Sequence, residues 1–457
     1  MSLLAPKVAA AKAVGALVRA SGRGGGTSLP GKLLTRLEPR AIGLLARRLK
    51  HGSAVISATN GKTTTAAMTA SILERTGATL VHNRAGANMA GGVAAALANA
   101  SRRGARALAG DLGLFEVDEF WLGPVVAELA PRALLLGNLF RDQLDRFGEL
   151  EIIADRWAAV VAAHAGRTAL VLNADDPLVA DLGRASSPLY FGVDDDALAI
   201  PELQHAADSK HCRRCGHPYA YEAIYLAHLG RYACPNCGAR RPEPAVVARA
   251  VELRGIRSAA FTLVCADGSA RVELPLPGLY NVYNALGAAA LGLALGAPLE
   301  AVVAGLESVA PAFGRAETLE LGGRPTSILL VKNPAGANEV LRTLALEGER
   351  LDLFGILNDN TADGRDISWV WDADWELLAP AVRHMTCSGT RAAELALRMK
   401  YAGVEGSRLT VVGALPDGLD AALANGSGPL YALPTYTALL ELRDLLADRG
   451  EVQGHWR

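Results

Sequence analysis

No run in this 457-residue chain is apolar over the roughly 20 residues that a membrane-crossing helix needs, so no helical span is expected. Neither sign of charge is in excess. Lys and Arg number 46 against 47 Asp and Glu, and a formal net charge of −1 argues against a protein built around nucleic acid while leaving local patches open. Cysteine is scarce, six in all. Four of these fall in two Cys-x-x-Cys pairs, and Cys265 and Cys387 sit in apolar, strand-like runs. That distribution speaks against a disulfide scaffold and suits a reducing, cytoplasmic compartment with a metal site. A secretory leader is lacking too: residues 5–18 are alanine-rich, but Lys7 and Lys12 interrupt them, Arg19 follows, and no cleavage site comes next. They read as an amphipathic helix packed on its own protein, with a membrane-surface role as the alternative. What is abundant is core: 50% of the residues are hydrophobic and 20% charged, enough for two or three domains.

One stretch organises the rest. A β-rich run at 54–57 feeds the turn Ala58-Thr59-Asn60-Gly61. Lys62-Thr63-Thr64-Thr65 then opens a helical pattern in which Ala66, Ala70 and Leu73 recur before Gly77 stops it. Strand, loop and helix in that order are the setting of a phosphate-binding loop. Backbone N–H groups at the helix start face phosphate, Lys62 adds a point charge, and the Thr63 hydroxyl is a ligand for Mg2+. The glycine usually found five residues before Gly61 is Ile56 here, so an ordinary strand-to-helix turn is the competing reading. Residues 26–32 match the same pattern by letters, but Leu33 has no hydroxyl, no strand precedes them and Pro30 lacks an N–H. They read as a glycine-rich connection.

Residues 1–50 read as helical and basic, with Arg47, Arg48 and Lys50 on a solvated face. From about residue 51 strand and helix alternate, as in a parallel α/β sheet. Glu116 ends the strand-like run 114–116, and an acid at that end of a parallel strand is placed to hold a Mg2+-nucleotide. Asp118 and Glu119 serve equally as caps or surface charge. The strands at 133–136 and 169–172 also end in polar segments, 138–148 and 173–177; the first is a site loop or a salt-bridged turn. After strand-like runs at 260–265 and 271–274, Asn281 and Asn284 stand one turn apart at the start of a long Ala/Leu/Gly helix, where they cap it or face a nucleotide.

Residues 205–243 break this rhythm. Cys212 and Cys215 are separated from Cys234 and Cys237 by residues 216–233, the spacing of a zinc ribbon. Gly216 and Gly238 follow the pairs and let the backbone turn around a metal. Four thiolates complete a tetrahedral shell and leave no room for water, so the site is structural; redox-active or disulfide-bonded cysteines are the alternative. His205, His211, His217 and His228 nearby read as surface residues.

Phe313-Gly314-Arg315-Ala316-Glu317 reads as a boundary, beyond which strand–helix units restart at 327–331, 351–357, 384–388, 409–412 and 430–433. Asp359, Asp363 and Asp366 crowd the segment after one of those strands, either as Asx turns or as a reactive edge. The expected organisation is a helical segment over 1–50, an α/β ATP-binding domain over 51–312 with the zinc-ribbon insert at 205–243, and a Rossmann-like α/β domain over 313–457.

Thr59 to Thr64, the Glu116 strand end, 173–177, 280–284 and Gly314-Arg315-Ala316-Glu317 together resemble the central and C-terminal domains of the Mur ligase superfamily. The four-cysteine insert and Asp363-Gly364-Arg365-Asp366-Ile367-Ser368-Trp369 are similar to its glutamine-dependent amidating branch. The resemblance implies ATP contacts from Asn60, Gly61, Lys62, Thr63, Thr64, Asn284 and Arg315. It implies Mg2+ on Thr63 and Glu116 and structural Zn2+ on Cys212, Cys215, Cys234 and Cys237. The implied reaction is phosphorylation of the α-carboxylate of D-isoglutamate in lipid II, then attack by ammonia to give D-isoglutamine. No glutaminase nucleophile is evident, so the implied partner is a GatD-type glutaminase in a heterodimer, with Asp366 completing its Cys-His-Asp triad. No nucleic acid and at most peripheral membrane contact are expected. Two departures stand out: Asp142-Gln143-Leu144-Asp145 replaces the Asp-His-Leu-Asp of ordinary Mur ligases, and Arg156 stands near their carbamylated lysine. Both put a second metal site in doubt, and a large N-terminal domain gripping a UDP-linked precursor is not expected. Competing functions are a self-sufficient amino-acid-adding ligase and a non-enzymatic nucleotide-dependent zinc-ribbon binding protein.

Overall fold

The computed structural model describes residues 4–20, 28–83, 87–102, 104–141, 150–309, 315–348 and 350–452. Its larger sheet has nine strands in the order Gly268–Leu274, Ser258–Cys265, Val246–Arg254, Leu189–Val193, Ala169–Asn173, Ala133–Leu136, Ser53–Ser57, Leu112–Glu116 and Leu80–His82. Pairing is parallel from Leu80–His82 as far as Val246–Arg254, and the last three strands form an antiparallel edge. The alternating pattern implies a parallel sheet, and the antiparallel edge departs from it. The edge differs because the links at 255–257 and 266–267 are far too short for a crossover. Leu189–Val193 and Val246–Arg254 were not anticipated as strands.

Ser53–Ser57 is buried along its whole length, as a parallel strand covered on both faces must be. It lies where the strand order reverses, with Leu112–Glu116 on one side and Ala133–Leu136 on the other. Loops leaving such a point diverge to opposite faces and open a crevice at the carboxyl edge. Register sets Ile56 level with Glu116 and Ser57 level with Leu136, so the loop at 58–61, Glu116 and Asn138 emerge together.

Helices Lys62–Arg75, Leu279–Ala294 and Leu299–Glu307 cover one face. The N-terminal helices Leu4–Ala20, Leu29–Leu37 and Ala41–Ala46, with Ala90–Ala100, Leu122–Leu129 and Leu150–His164, cover the other. Leu4, Val8 and Ala11 are buried at helical spacing, so the first helix packs on its own protein. Residues 29–32, expected in a connection, instead begin a helix: Pro30 takes its first turn, where a missing N–H costs nothing.

The smaller sheet has six strands, Arg315–Leu321, Arg324–Leu329, Leu430–Pro434, Leu351–Ile356, Val382–Ser388 and Leu409–Val411, parallel except for the first hairpin. Arg315–Leu321 is an edge strand that the sequence pattern did not suggest. Residues 313 and 314 of the expected boundary lie outside the described residues.

The helix that carries the phosphate loop is seated at close range. A Cβ on Gly305 would stand 2.7 Å from Ile72 Cα and 2.8 Å from its N. Gly305→Ala is expected to push these helices apart at a cost of about 1–3 kcal/mol, seen as a lower thermal unfolding midpoint; an unchanged midpoint would refute the close packing.

Candidate functional site

A cavity of about 350 Å3 opens at the carboxyl edge of the larger sheet, between it and the smaller one. Residues 59–64, Glu116, Glu119 and Asn284 line it from one side, and Lys332, Gly336, Glu339 and Tyr436 from the other.

Gly61 caps the helix Lys62–Arg75 at φ +83°, in the left-handed region where a side chain is disfavoured. A Cβ there would also overlap Asn284 Oδ1. Asn284 therefore packs behind the loop: its Oδ1 accepts from Thr65 Oγ1 at 3.3 Å and its Nδ2 donates to Asn281 Oδ1 at 3.0 Å. Asn281 donates to Pro277 O at 2.7 Å. Of the two readings left open, Asn281 braces the helix start and Asn284 faces the loop. Thr63 Oγ1 donates to Glu116 Oε1 at 3.1 Å. Asn83 holds the Glu116 backbone on both its N–H and C=O, at 2.9 and 2.8 Å. Thr64 is buried in the first turn of the helix.

Lys62 is 8% exposed, and its ammonium donates to the carbonyls of Ala58 and Thr59 and to Glu119 Oε2 at 3.0 Å. Burial alone pushes it toward the neutral form. Glu119, with Glu116 and Asp118, outweighs that and holds its pKa above the ordinary lysine value, so the charge is kept. Glu119 is thus a site residue that strand-end reasoning had not separated from Asp118. Asp118 accepts from Phe120 N at 3.0 Å, a local turn bond.

The loop also reaches the smaller sheet. Asn60 exchanges amide hydrogen bonds with Asn333 at 2.9 and 3.3 Å, and its backbone exchanges two more with Asn138 at 2.9 and 3.1 Å. Asn333 is fully buried and caps the helix Pro334–Ala345, accepting from Gly336 N at 2.9 Å. The cavity therefore lies between two helix N-termini, both of which favour an anion. The only sequence signal for the second was Asn-Pro-Ala-Gly, an N-cap followed by proline.

The four cysteine sulfurs lie within 4.8 Å of one another, with Cys212–Cys237 and Cys215–Cys234 each at 3.5 Å. These spacings are too long for disulfides and fit the edges of a tetrahedron with metal–sulfur bonds near 2.3 Å. Gly216 and Gly238 turn at φ +74° and +73°. His205, His211 and His217 are exposed as expected, but His228 is fully buried. It sits in the tight turn between strands Ala220–Leu226 and Leu229–Ala233, accepts from Asp208 N at 3.3 Å on Nδ1, packs on Phe140, and brings Nε2 to 3.5 Å from Asp176. Asp176 in turn caps the helix Pro177–Leu182 and accepts from Leu139 N at 2.8 Å. The surface reading failed because the hairpin folds this turn back under the polar loop after Asn138.

Arg156 is exposed and stacks on Phe120 at 4.0 Å from the ring centroid. The segment 142–145 lies outside the described residues. Arg315 begins the strand Arg315–Leu321, but its side chain also lies outside what is described. Asp366 is exposed, does not line the cavity, and accepts from Ser368 N at 2.8 Å; bonds from Ser368 hold its carboxyl below the usual range. Asp363, by contrast, is buried against Thr437, accepting from its N–H at 2.7 Å. Asp359 pairs with Arg391 at 2.8 Å.

A phosphate loop at the switch point of a parallel sheet, facing a second α/β unit across a cavity, defines a Mur-type ligase architecture. Among solved structures, a pseudomurein peptide ligase type C from Methanothermus fervidus superposes with a TM-score of 0.69 at 23% identity, covering 89% of this chain and 80% of that one. MurF ligase from Thermotoga maritima in complex with ADP gives 0.64 at 13% identity, covering 91% and 84%. Both likenesses are of fold. The family profile of the Mur ligase middle domain matches residues 56–239, and that of the MurT ligase C-terminal region matches 330–439. The lipid II isoglutaminyl synthase (glutamine-hydrolyzing) subunit MurT of Streptococcus pneumoniae is 33% identical over 94% of both chains, and its Staphylococcus aureus counterpart 34% identical over 83% and 84%. The chain belongs to the MurT family.

Asn333→Ala removes both the helix cap and the bridge to Asn60. It is expected to cost about 1 kcal/mol of stability and to weaken nucleotide binding several-fold by calorimetry. Asn333→Asp keeps the cap and should restore the stability without the affinity. Unchanged nucleotide affinity in both variants would show that the bridge does not support the loop.

Proposed function

We propose that this chain is the ATP-dependent synthase subunit of a glutamine-hydrolysing amidotransferase. It activates the α-carboxylate of D-isoglutamate in the lipid II stem peptide as an acyl phosphate, and ammonia from a partner glutaminase converts it to D-isoglutamine. The observation that carries this reading is one chain, 33% identical to a lipid II isoglutaminyl synthase subunit along 94% of its length, that combines the Lys62–Thr63–Glu116 cluster with Asp366 exposed outside it.

A carboxylate resists ammonia because its anionic oxygen is a poor leaving group. Moving the terminal phosphoryl group of ATP onto that oxygen releases ADP and makes phosphate the leaving group. The ammonia lone pair then forms the C–N bond, the C–O bond to phosphate breaks, and a proton is lost. Charge on the moving phosphoryl oxygens is met by the Lys62 ammonium and the N–H groups of the first helical turn. Asn60, Gly61 and Thr64 shape the loop, and Asn284 and Arg315 are assigned to nucleotide contacts. Thr63 and Glu116 present the hard oxygen donors that Mg2+ takes, and bound Mg2+ would offset phosphate charge there. Zn2+ suits the four thiolates and would have a structural role.

The relatives are named as subunits, which implies a complex. We assign the partner as a GatD-type glutaminase in a heterodimer, with Asp366 orienting the catalytic histidine of its Cys-His-Asp triad. Its exposure and ionised state suit that task. Cys387 is buried, with its thiol pushed up to about 12 by desolvation, and is no nucleophile. We place the ATP-binding domain at 51–312 with the insert at 205–243, and the second domain at 313–457. Among the described residues no helix is long and apolar enough to cross a membrane. From the cysteine usage and the family we place the protein in the cytoplasm, with at most peripheral contact with the membrane.

The decisive experiment is co-purification with a candidate glutaminase, then mass spectrometry of lipid II after incubation with ATP and glutamine. Replacement of one hydroxyl by an amine is expected; its absence, or addition of an amino acid, would overturn the reading. In the same complex, Asp366→Asn is expected to cut glutamine hydrolysis about a hundred-fold or more while ATP binding persists; retained hydrolysis removes Asp366 from the triad. Elemental analysis should find one zinc per chain, lost in the Cys212→Ser/Cys215→Ser variant, and an unchanged metal content would refute the four-thiolate site.

A further inference from the structure

The near-neutral total of −1 conceals a strong asymmetry. Residues 1–51 hold ten Lys and Arg but a single acid, Glu38, so the remaining chain is acidic. Lys7 already engages Glu38 at 3.0 Å. On the helix Leu29–Leu37 and the turn after it, Lys32, Arg36 and Arg40 recur every fourth residue and are all exposed. Among the described residues no acid forms an ion pair with Lys32 or Arg36, and Arg40 shares Glu38 with Lys7, which is the closer partner. Large apolar side chains stand beside them in water: Leu29 is 51% and Leu37 42% exposed, and Leu17 of the preceding helix is 69% exposed. The opposite side of the same helix, with Pro30, Gly31 and Leu34 buried, packs on Ala90–Ala100, so the exposed stripe is not needed for the core.

We propose that this face, centred on Leu29, Lys32, Arg36, Leu37 and Arg40, docks on an anionic phospholipid bilayer. Exposed cations meet the headgroup phosphates, and the leucines enter the boundary of the acyl layer, the division of labour of an interfacial amphipathic helix. A nucleic acid would engage the cations and leave the leucines in water. Its position ties this face to the nucleotide cavity. The first turn of the helix lies against Gly91, where an added Cβ would stand 3.0 Å from Lys32 and 3.2 Å from Ser28 O. Gly91 is two residues beyond Met89, which lines the nucleotide cavity. The proposed face thus adjoins the segment that supplies part of the cavity wall. The surface assignment stands on charge and exposure and does not rest on the amidation reading.

The test is flotation of the full chain, in complex with its glutaminase, on phosphatidylcholine vesicles with and without phosphatidylglycerol. Flotation is expected only with the anionic lipid and is released by high salt. The triple variant Lys32→Glu/Arg36→Glu/Arg40→Glu is expected to lower the bound fraction roughly ten-fold or more. Leu29→Ser/Leu37→Ser should lower it as well without changing charge, and carries the test if the charge reversal impairs folding. Flotation of both variants like the wild type, equal flotation on neutral vesicles, or capture by duplex DNA in preference to anionic vesicles would overturn the proposal. Amidation of detergent-solubilised lipid II separates the two readings. Wild-type protein inactive in detergent refutes the function, whereas variants active in detergent but unbound to vesicles support docking.

Discussion

An ammonium ion buried at the edge of a parallel sheet has to be answered by carboxylates, and much of the site follows from that requirement. Lys62 lies among Glu119, Glu116 and Asp118, which keep it charged despite its burial. Those acids are available because Leu112–Glu116 pairs in parallel with Ser53–Ser57 and ends level with it. The carboxyl edge of the sheet thus gathers the Lys62 ammonium, its counter-charges and the N–H groups of a helix start, an arrangement suited to phosphate.

The loop is shaped from behind as well as from the side. Gly61 turns through left-handed space because Asn284, from a helix more than two hundred residues later, occupies the volume a side chain would need. Asn333 then binds Asn60 from the opposite wall, so the loop touches both sheets. The loop is therefore held from both walls of the site.

The cysteine insert belongs to the same construction. His228 reaches Asp176, Arg141 pairs with Asp208 and Asp372, and Arg342 of the smaller unit donates to Tyr225 O at 2.7 Å. A metal holding the insert would act on the segment that braces the polar loop after Asn138. His228 and Asp176 are fully buried, whereas Arg141 and Asp372 are partly exposed, and neither kind of charged contact adds much net stability.

The loop at 59–64, Glu116 at its strand end, the paired cysteines and most of the strand–helix units were legible in the sequence. Each is local, with its chemistry carried by residues a few positions apart or by a period that repeats. What the order of residues did not disclose depends on distance through space. Glu119 was indistinguishable from Asp118 until the helix Lys62–Arg75 was laid beside it, and His228 looked solvated until its hairpin folded under Phe140. The antiparallel edge followed from two links too short to cross the sheet. Asn60 and Asn333 are 273 residues apart, and no periodicity connects them. The sequence by itself thus determined which groups this protein can bring to a phosphate and a metal. Only the tertiary structure decided which of them meet, because strand order and the docking of one sheet on another are set by the packing of the whole core.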